Sequence, residues 1–422
     1  MKRTITLLIF LTINFFASSQ IGSSSPYSFA GIGEINFRGN QINRFMGGID
    51  IYNDSIHANL NNPASYGDLK MVTYSLGINY KVTNLSDKQS SYQSSNSSLD
   101  YLGIAIPTGK FGFGFGLVPY SSVGYRLEGR NDLLNSNSTN QFEGSGGVNR
   151  AFFSVGFRFA KYFSIGATFN YGFGEITYRT TKLIDNIELV TILQNKSSLS
   201  GLSYQITSNL KLPVTEELDF HLMYSLSPES NTKSKNSRIY LTDSQNNINV
   251  GSDFEEVDLS TSGLSNTKVN ISKMSAIGVG LSKEKNWFFG AQYSMVNSEN
   301  FRNDFITIPN LTYQNGSRIS VGGFYIPNYS SITDYWKRIV FRLGYRNELS
   351  GIIVNNFVLR ETGITFGFGL PMSGYSNTNI GFEIGKRGSI ENNLVMEKFW
   401  SLRIGFSLND IWFIKRQYNK CI

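Results

Sequence analysis

Ala151-Phe152-Phe153-Ser154-Val155-Gly156-Phe157-Arg158-Phe159-Ala160 runs, after Lys161 alone, into Tyr162-Phe163-Ser164-Ile165-Gly166-Ala167-Thr168-Phe169-Asn170-Tyr171. In the first run Phe153, Val155, Phe157 and Phe159 share one face, and Ser154, Gly156, Arg158 and Ala160 the other. In the second, Phe163, Ile165, Ala167, Phe169 and Tyr171 oppose Ser164, Gly166, Thr168 and Asn170. A period of two places successive side chains on opposite faces of a strand. One face is bulky and apolar, the other small or polar, and the tight connection makes the two strands antiparallel.

The same pattern extends in both directions. Strands are expected at 71–80, 99–107, 111–127, 151–160, 162–180, 202–212, 218–226, 274–281, 287–301, 318–327, 338–348, 357–370, 379–386 and 399–408. In the last, Trp400, Leu402, Ile404, Phe406 and Leu408 oppose Ser401, Arg403, Gly405 and Ser407. Every second connection is short: 108–110, Lys161, 213–217, 283–286 and 371–378. Those between are mostly longer and polar: 86–98, 128–149, 181–199, 227–270 and 302–317, with 350–356 and 387–398 shorter. The Ser/Gln-rich 86–98 reads as a mobile loop. Short turns on one side and long loops on the other mark an outer-membrane barrel. The turn 328–337 breaks the rhythm, and the pattern supplies no reason for it. A soluble β-sandwich also alternates, but it needs neither this rhythm nor an export signal. The fold class is therefore all-β: a membrane-spanning antiparallel β-barrel of about 14 strands, with an N-terminal segment plugging the lumen.

Composition agrees. With 41 Gly, 23 Tyr and 32 Phe but only 40% hydrophobic residues, the chain suits strands with apolar outward and polar inward faces. Residues 1–19 read as a signal peptide: Lys2 and Arg3 precede an apolar core, Ile5 to Phe16, and Ala17-Ser18-Ser19 supplies small residues before a cut. That core is shorter than the roughly 20 residues of a spanning helix, and no later segment is apolar enough to be one. With no Cys near the cut, a lipoprotein anchor is excluded. The only Cys, Cys421, excludes an intrachain disulfide. The formal charge of +7 forms no basic run, so no nucleic-acid partner is read from it.

Residues 20–69 differ from the rest. Ile56-His57-Ala58-Asn59-Leu60-Asn61-Asn62-Pro63-Ala64-Ser65-Tyr66-Gly67 has neither strand nor helix period. A barrel of about 14 strands is too wide for its own inward side chains to fill. We therefore expect 20–69 to be a hatch inside a barrel formed by 70–409, with 410–422 a periplasmic tail. Asn59, Asn61, Asn62, Pro63 and Ala64 are its candidate contact residues, the asparagines suited to lumenal arginines and backbone groups. By alternation Arg158, Arg342, Arg346 and Arg403 face the lumen. In the tail, Trp412, Phe413, Lys415 and Arg416 suit a membrane interface or a periplasmic contact.

No catalytic or metal site is expected. His57 and His221 lack a nucleophile or ligand spacing around them, Glu255 and Glu256 read as solvated loop acids, and Gly112 to Gly116 alternates within a strand rather than cradling phosphate before a helix. No cofactor is implied.

The order of signal peptide, Asn62-Pro63-Ala64 and about 14 strands resembles the FadL-like outer-membrane transporters of hydrophobic compounds. Gly322 to Tyr329, Tyr335-Trp336-Lys337-Arg338, Gly363 to Pro371, Gly385-Lys386-Arg387-Gly388 and Phe406 to Arg416 resemble the version found in Gram-negative bacteria with type IX secretion. The resemblance implies a monomeric barrel with a lumenal hatch and, in transporters, a side path through a kinked strand. It implies partners of three kinds: outer-membrane lipid, a hydrophobic small-molecule ligand, or a large secretion-translocon protein to which such a barrel acts as plug or gate. Family frequency favours uptake. Against it, the loops are polar, and 227–270 carries Asp253, Glu255, Glu256 and Asp258 rather than an apolar capture surface. No ligand-binding residue is assigned.

Overall fold

The computed structural model describes residues 23–133, 136–244, 253–372, 374–391 and 394–411. The expected signal peptide 1–19, Cys421 and the tail 412–422 lie outside the described residues. Fourteen antiparallel strands close into a barrel. They are β1 Val72–Ser86, β2 Ser91–Thr108, β3 Phe111–Leu133, β4 Ser136–Ala160, β5 Phe163–Ile184, β6 Leu189–Pro213 and β7 Leu218–Ser227. The others are β8 Met274–Lys283, β9 Trp287–Val296, β10 Gly316–Tyr325, β11 Val340–Val354, β12 Phe357–Pro371, β13 Asn377–Arg387 and β14 Met396–Asp410. Closure is made by β14 on β1, in unbroken register from Met396 opposite Ser86 to Asp410 opposite Val72.

Alternation sets inside and outside. On β5, Phe163, Ile165, Phe169 and Tyr171 are exposed on the outer wall, whereas Ser164 and Thr168 are buried within. On β14, Trp400 and Leu408 face out while Ser401, Arg403 and Ser407 are buried. Closure satisfies every wall amide that would otherwise form an edge, so the apolar outer face can meet lipid. Among the described residues no helix is long and apolar enough to cross a membrane.

The wall is uneven in height, which corrects the expected loops. β3, β4, β5 and β6 run for 23, 25, 22 and 25 residues, against 10 each for β8, β9 and β10. About 9–11 residues cross a bilayer, so much of the expected loops 128–149 and 181–199 is strand, and β2 runs through the supposedly mobile 91–98. Beyond the lipid both faces of a strand can be polar, so backbone pairing continues where apolar alternation stops. Ser230–Ser244, Asp253–Glu256 and Asn266–Ile271 add to this tall side, the first pairing with β6 from Ser200 opposite Lys233 to Leu189 opposite Ser244. Between it and β7 the pairing with β6 slips by one residue, from Ile206 opposite Leu226 to Ser200 opposite Lys233, and Pro228, which has no N–H to donate, lies in that span.

Residues 23–70 run against inward wall faces and contain only short elements: Pro26–Phe29, Glu34–Ile35, α1 Gln41–Phe45 and Pro63–Asp68. At the tall end Ile32 packs with Tyr120, Val123, Val148, Ile176 and Leu199, flanked by Phe301, and Tyr27 packs with Leu359 and Leu394.

Candidate functional site

The arrangement begins with the glycines of β3 to β5. A methyl group at Gly112 would stand 2.0 Å from the Tyr66 carbonyl oxygen; at Gly156, 2.3 Å from the Pro63 oxygen; at Gly166, 2.4 Å from the Pro63 carbonyl carbon. Only residues without Cβ admit Pro63–Asp68 so close to the sheet. Pro63 opens this 3-10 turn, where its missing N–H costs nothing, and Ala64 and Tyr66 are buried.

The asparagines before it make a separate polar knot. Asn59 Nδ2 and Asn62 Nδ2 donate to the Asp50 carbonyl oxygen at 2.9 and 2.8 Å, and Asn61 Nδ2 donates to Asp50 Oδ2 at 2.6 Å. Asn62 and Asn209 of β6 exchange amide hydrogen bonds at 3.0 and 3.1 Å, and Gln205 donates to the Asn61 carbonyl at 2.7 Å. Burial pushes the Asp50 carboxyl above its ordinary pKa, against these donors. The expected arginine partners are elsewhere: a guanidinium gains more from a carboxylate than from an amide, and the wall supplies carboxylates.

Glu383 of β13 accepts from Arg44 of α1 at 2.7 Å and forms ion pairs with Arg346 of β11 at 2.6 Å and Arg403 of β14 at 3.4 Å. Arg346 also pairs with Glu361, and Arg403 with Asp100 at 2.6 Å. Arg387 joins Glu361, Glu397 at 3.6 Å and Glu34 at 2.7 Å, and Lys81 adds a second cation 3.5 Å from Glu34. The N-terminal segment enters this network through Arg44, Glu34, Ser25, which donates to Glu397, and Gln41, which donates to Asp100 at 2.6 Å. Burial alone would raise the Glu34 carboxyl, but Arg387 and Lys81 hold it well below the ordinary carboxylate range. Burial, with Arg346 alongside, lowers the Arg44 guanidinium to about 10.

Arg342 and Arg158 sit apart from this network. Arg158 lies 3.8 Å from Asp68 at the turn side. Arg342 starts a directed chain: it donates to Asn379 Oδ1 at 2.9 Å, Asn379 Nδ2 donates to Asn377 Oδ1 at 2.7 Å, and Asn377 Nδ2 meets His57 Nε2 at 2.7 Å. Because arginine only donates, each amide is oriented in turn and His57 Nε2 must accept. Its Nδ1 then donates to Asp54 Oδ2 at 2.5 Å.

Two spaces remain. The larger, about 690 Å³, is lined by ionic side chains including Glu34, Lys81, Asp100, Arg346, Arg387 and Arg403. The smaller, about 350 Å³ at the turn side, includes Ile42, Met46, Ile51, Tyr52 and Phe324 with Asp54, His57 and Arg342. The glutamates are not among the residues that the sequence reading singles out. Their signal was available, since Glu361 and Glu383 occupy the inward register of β12 and β13.

Residues 1–419 match the family model BamG. No curated protein matches the sequence. Among solved structures, the Ralstonia pickettii toluene transporter TbuX is similar at 13% identity and TM-score 0.59, covering 89% of this chain and 99% of that one. The P. putida toluene transporter TodX is similar at 14% and 0.55, covering 90% and 99%. A Pseudomonas aeruginosa FadL homologue is similar at 11% and 0.55, covering 89% and 98%. At these identities the likeness is one of fold.

Proposed function

The chain belongs to the BamG family, and on that premise we propose that it is a sealed, non-transporting barrel of the outer membrane. In this reading residues 20–69 plug the lumen, and the barrel serves as a structural subunit of a larger outer-membrane protein assembly. The observation that carries it is the lining of the lumen. The larger space is lined by a network of paired charges tied to the N-terminal segment, with Ile35, Phe37, Leu99, Leu117 and Phe399 between them. An apolar solute there would displace the water that solvates those charges and return no hydrogen bonds. The family name hints at a partner complex; a plug or gate of a type IX-like secretion translocon is one form such a role takes.

The second reading is uptake of a hydrophobic small molecule. It is favoured by the barrel fold of the toluene transporters and by the partly apolar turn-side space. Neither role is enzymatic. The experiment is the native mass of the tagged protein extracted in mild detergent, followed by solvent extraction for bound ligand. Co-elution with a much larger outer-membrane protein and no extractable ligand is expected. A lone barrel carrying fatty acid or hydrocarbon would overturn the assembly reading in favour of uptake.

A further inference from the structure

The turn between β10 and β11 is the long one on the side where others are minimal, and it is built rather than slack. Asn328 N donates to Lys337 O at 2.8 Å, Asp334 N to Ser331 Oγ at 3.1 Å, and Lys337 Nζ to Asp334 Oδ2 at 2.6 Å. It ends in the 3-10 turn Tyr335–Arg338, and Tyr335 Oη donates to the Pro371 carbonyl of the neighbouring turn at 3.1 Å. Polar groups are thus spent on internal bonds while apolar ones point away. Ile332 is 95% exposed and Trp336 76% exposed, with Tyr329, Met372 and Tyr375 exposed beside them. Cations rim the patch: Lys285 lies 5.7 Å from the Tyr329 ring centre and Arg338 5.4 Å from that of Tyr335.

We propose that this turn is a docking knob for a protein on the turn side of the membrane, whose face offers an apolar pocket for Trp336 and Ile332 within an acidic rim. The inference rests on the assembly reading above and names the surface that reading lacks. A pre-ordered loop pays little entropy on binding, and an aromatic and aliphatic tip ringed by Arg and Lys has the composition of an interface centre. With Lys337 neutralised by Asp334, Lys285 and Arg338 are the cations left beside the aromatic tip, and they call for an acidic counterpart. The ring of lipid-facing aromatics is supplied separately by strand ends such as Tyr325 and Phe341, which are exposed on the wall.

The test uses the full chain in its own membrane, with a photo-reactive residue at Ile332 and, as a control, at Thr215 on another turn. One protein adduct at 332 and none at 215 is expected. Ile332→Ser with Trp336→Ala should cut co-purification of that same protein at least tenfold, and Lys285→Glu several-fold, with barrel yield and heat-modifiable mobility unchanged. Adducts to lipid only, or a partner retained fully by the double variant, would overturn the knob while leaving the assembly reading standing. No co-purifying partner for the unaltered protein would sink both.

Discussion

The two halves of the N-terminal segment are held to the barrel by different mixtures of charge and close fit. Residues 25–47 are fastened by charge to β11–β14 and β1–β2, through Glu34, Arg44 and their partners, and also by close fit, where Met46 and Gly47 lie against Gly322 and Gly344. Residues 63–67 are fastened by shape to β3–β5, where backbone lies on backbone through Gly112, Gly156 and Gly166. A charge network is redundant and acts over distance: Glu383 has three cations, and Arg387 three carboxylates. A steric cradle has no redundancy, because one added methyl meets backbone that cannot rotate away. The first half is therefore tuned by pH and charge as well as by volume, and residues 63–67 by volume.

The largest effect is expected from Glu383→Gln, which strands buried Arg44 beside a neutral amide and leaves Arg346 and Arg403 with Glu361 and Asp100 alone. Removing one partner of a buried ion pair costs about 3–5 kcal/mol. Cysteines placed at Ser24 and Ser65 in a Cys421→Ser background should separate the halves: labelling at 24 rises and labelling at 65 does not. Next comes Gly166→Val, for which overpacking costs about 1–3 kcal/mol or more, with the labelling pattern reversed. If the halves are independent, the two losses add to within about 0.5 kcal/mol; strong coupling would show that they form one unit. The smallest effect is on acid sensitivity. Glu34 titrates below its ordinary 4.5 when folded, so its stabilisation is complete above that pH and is lost as pH falls toward the lower folded value. Glu34→Gln should flatten that acid limb for labelling at 24 and leave labelling at 65 unchanged.

The barrel was legible because lipid enforces alternation: wherever Phe, Ile or Leu must face out at every second residue, strand and register can be read. The tall rims of β3–β6 were not, since Ser, Thr, Asn and Gln pair their backbones without leaving an apolar period. Close approach of the segment to a glycine-lined wall could be anticipated from Gly156 and Gly166, but the partners of the asparagines could not. Pairing of Asn62 with Asn209 joins residues 147 apart, and nothing local distinguishes that amide from its neighbours. Alternation puts Arg346 and Arg403 on the inward faces of β11 and β14, whereas their convergence on Glu383 depends on register across three strands, which period alone does not supply.

The closing seam of β14 on β1 begins at Val72, four residues after the cradled turn Pro63–Asp68 ends. The segment before it reaches the tall end, where Tyr27 is buried against Leu359 and Leu394. We expect residues 23–70 to be laid along the sheet before the last strand meets the first. Barrel closure is then a step that traps its own contents, and a chain whose segment is missing or misplaced at that moment cannot be corrected without reopening the seam.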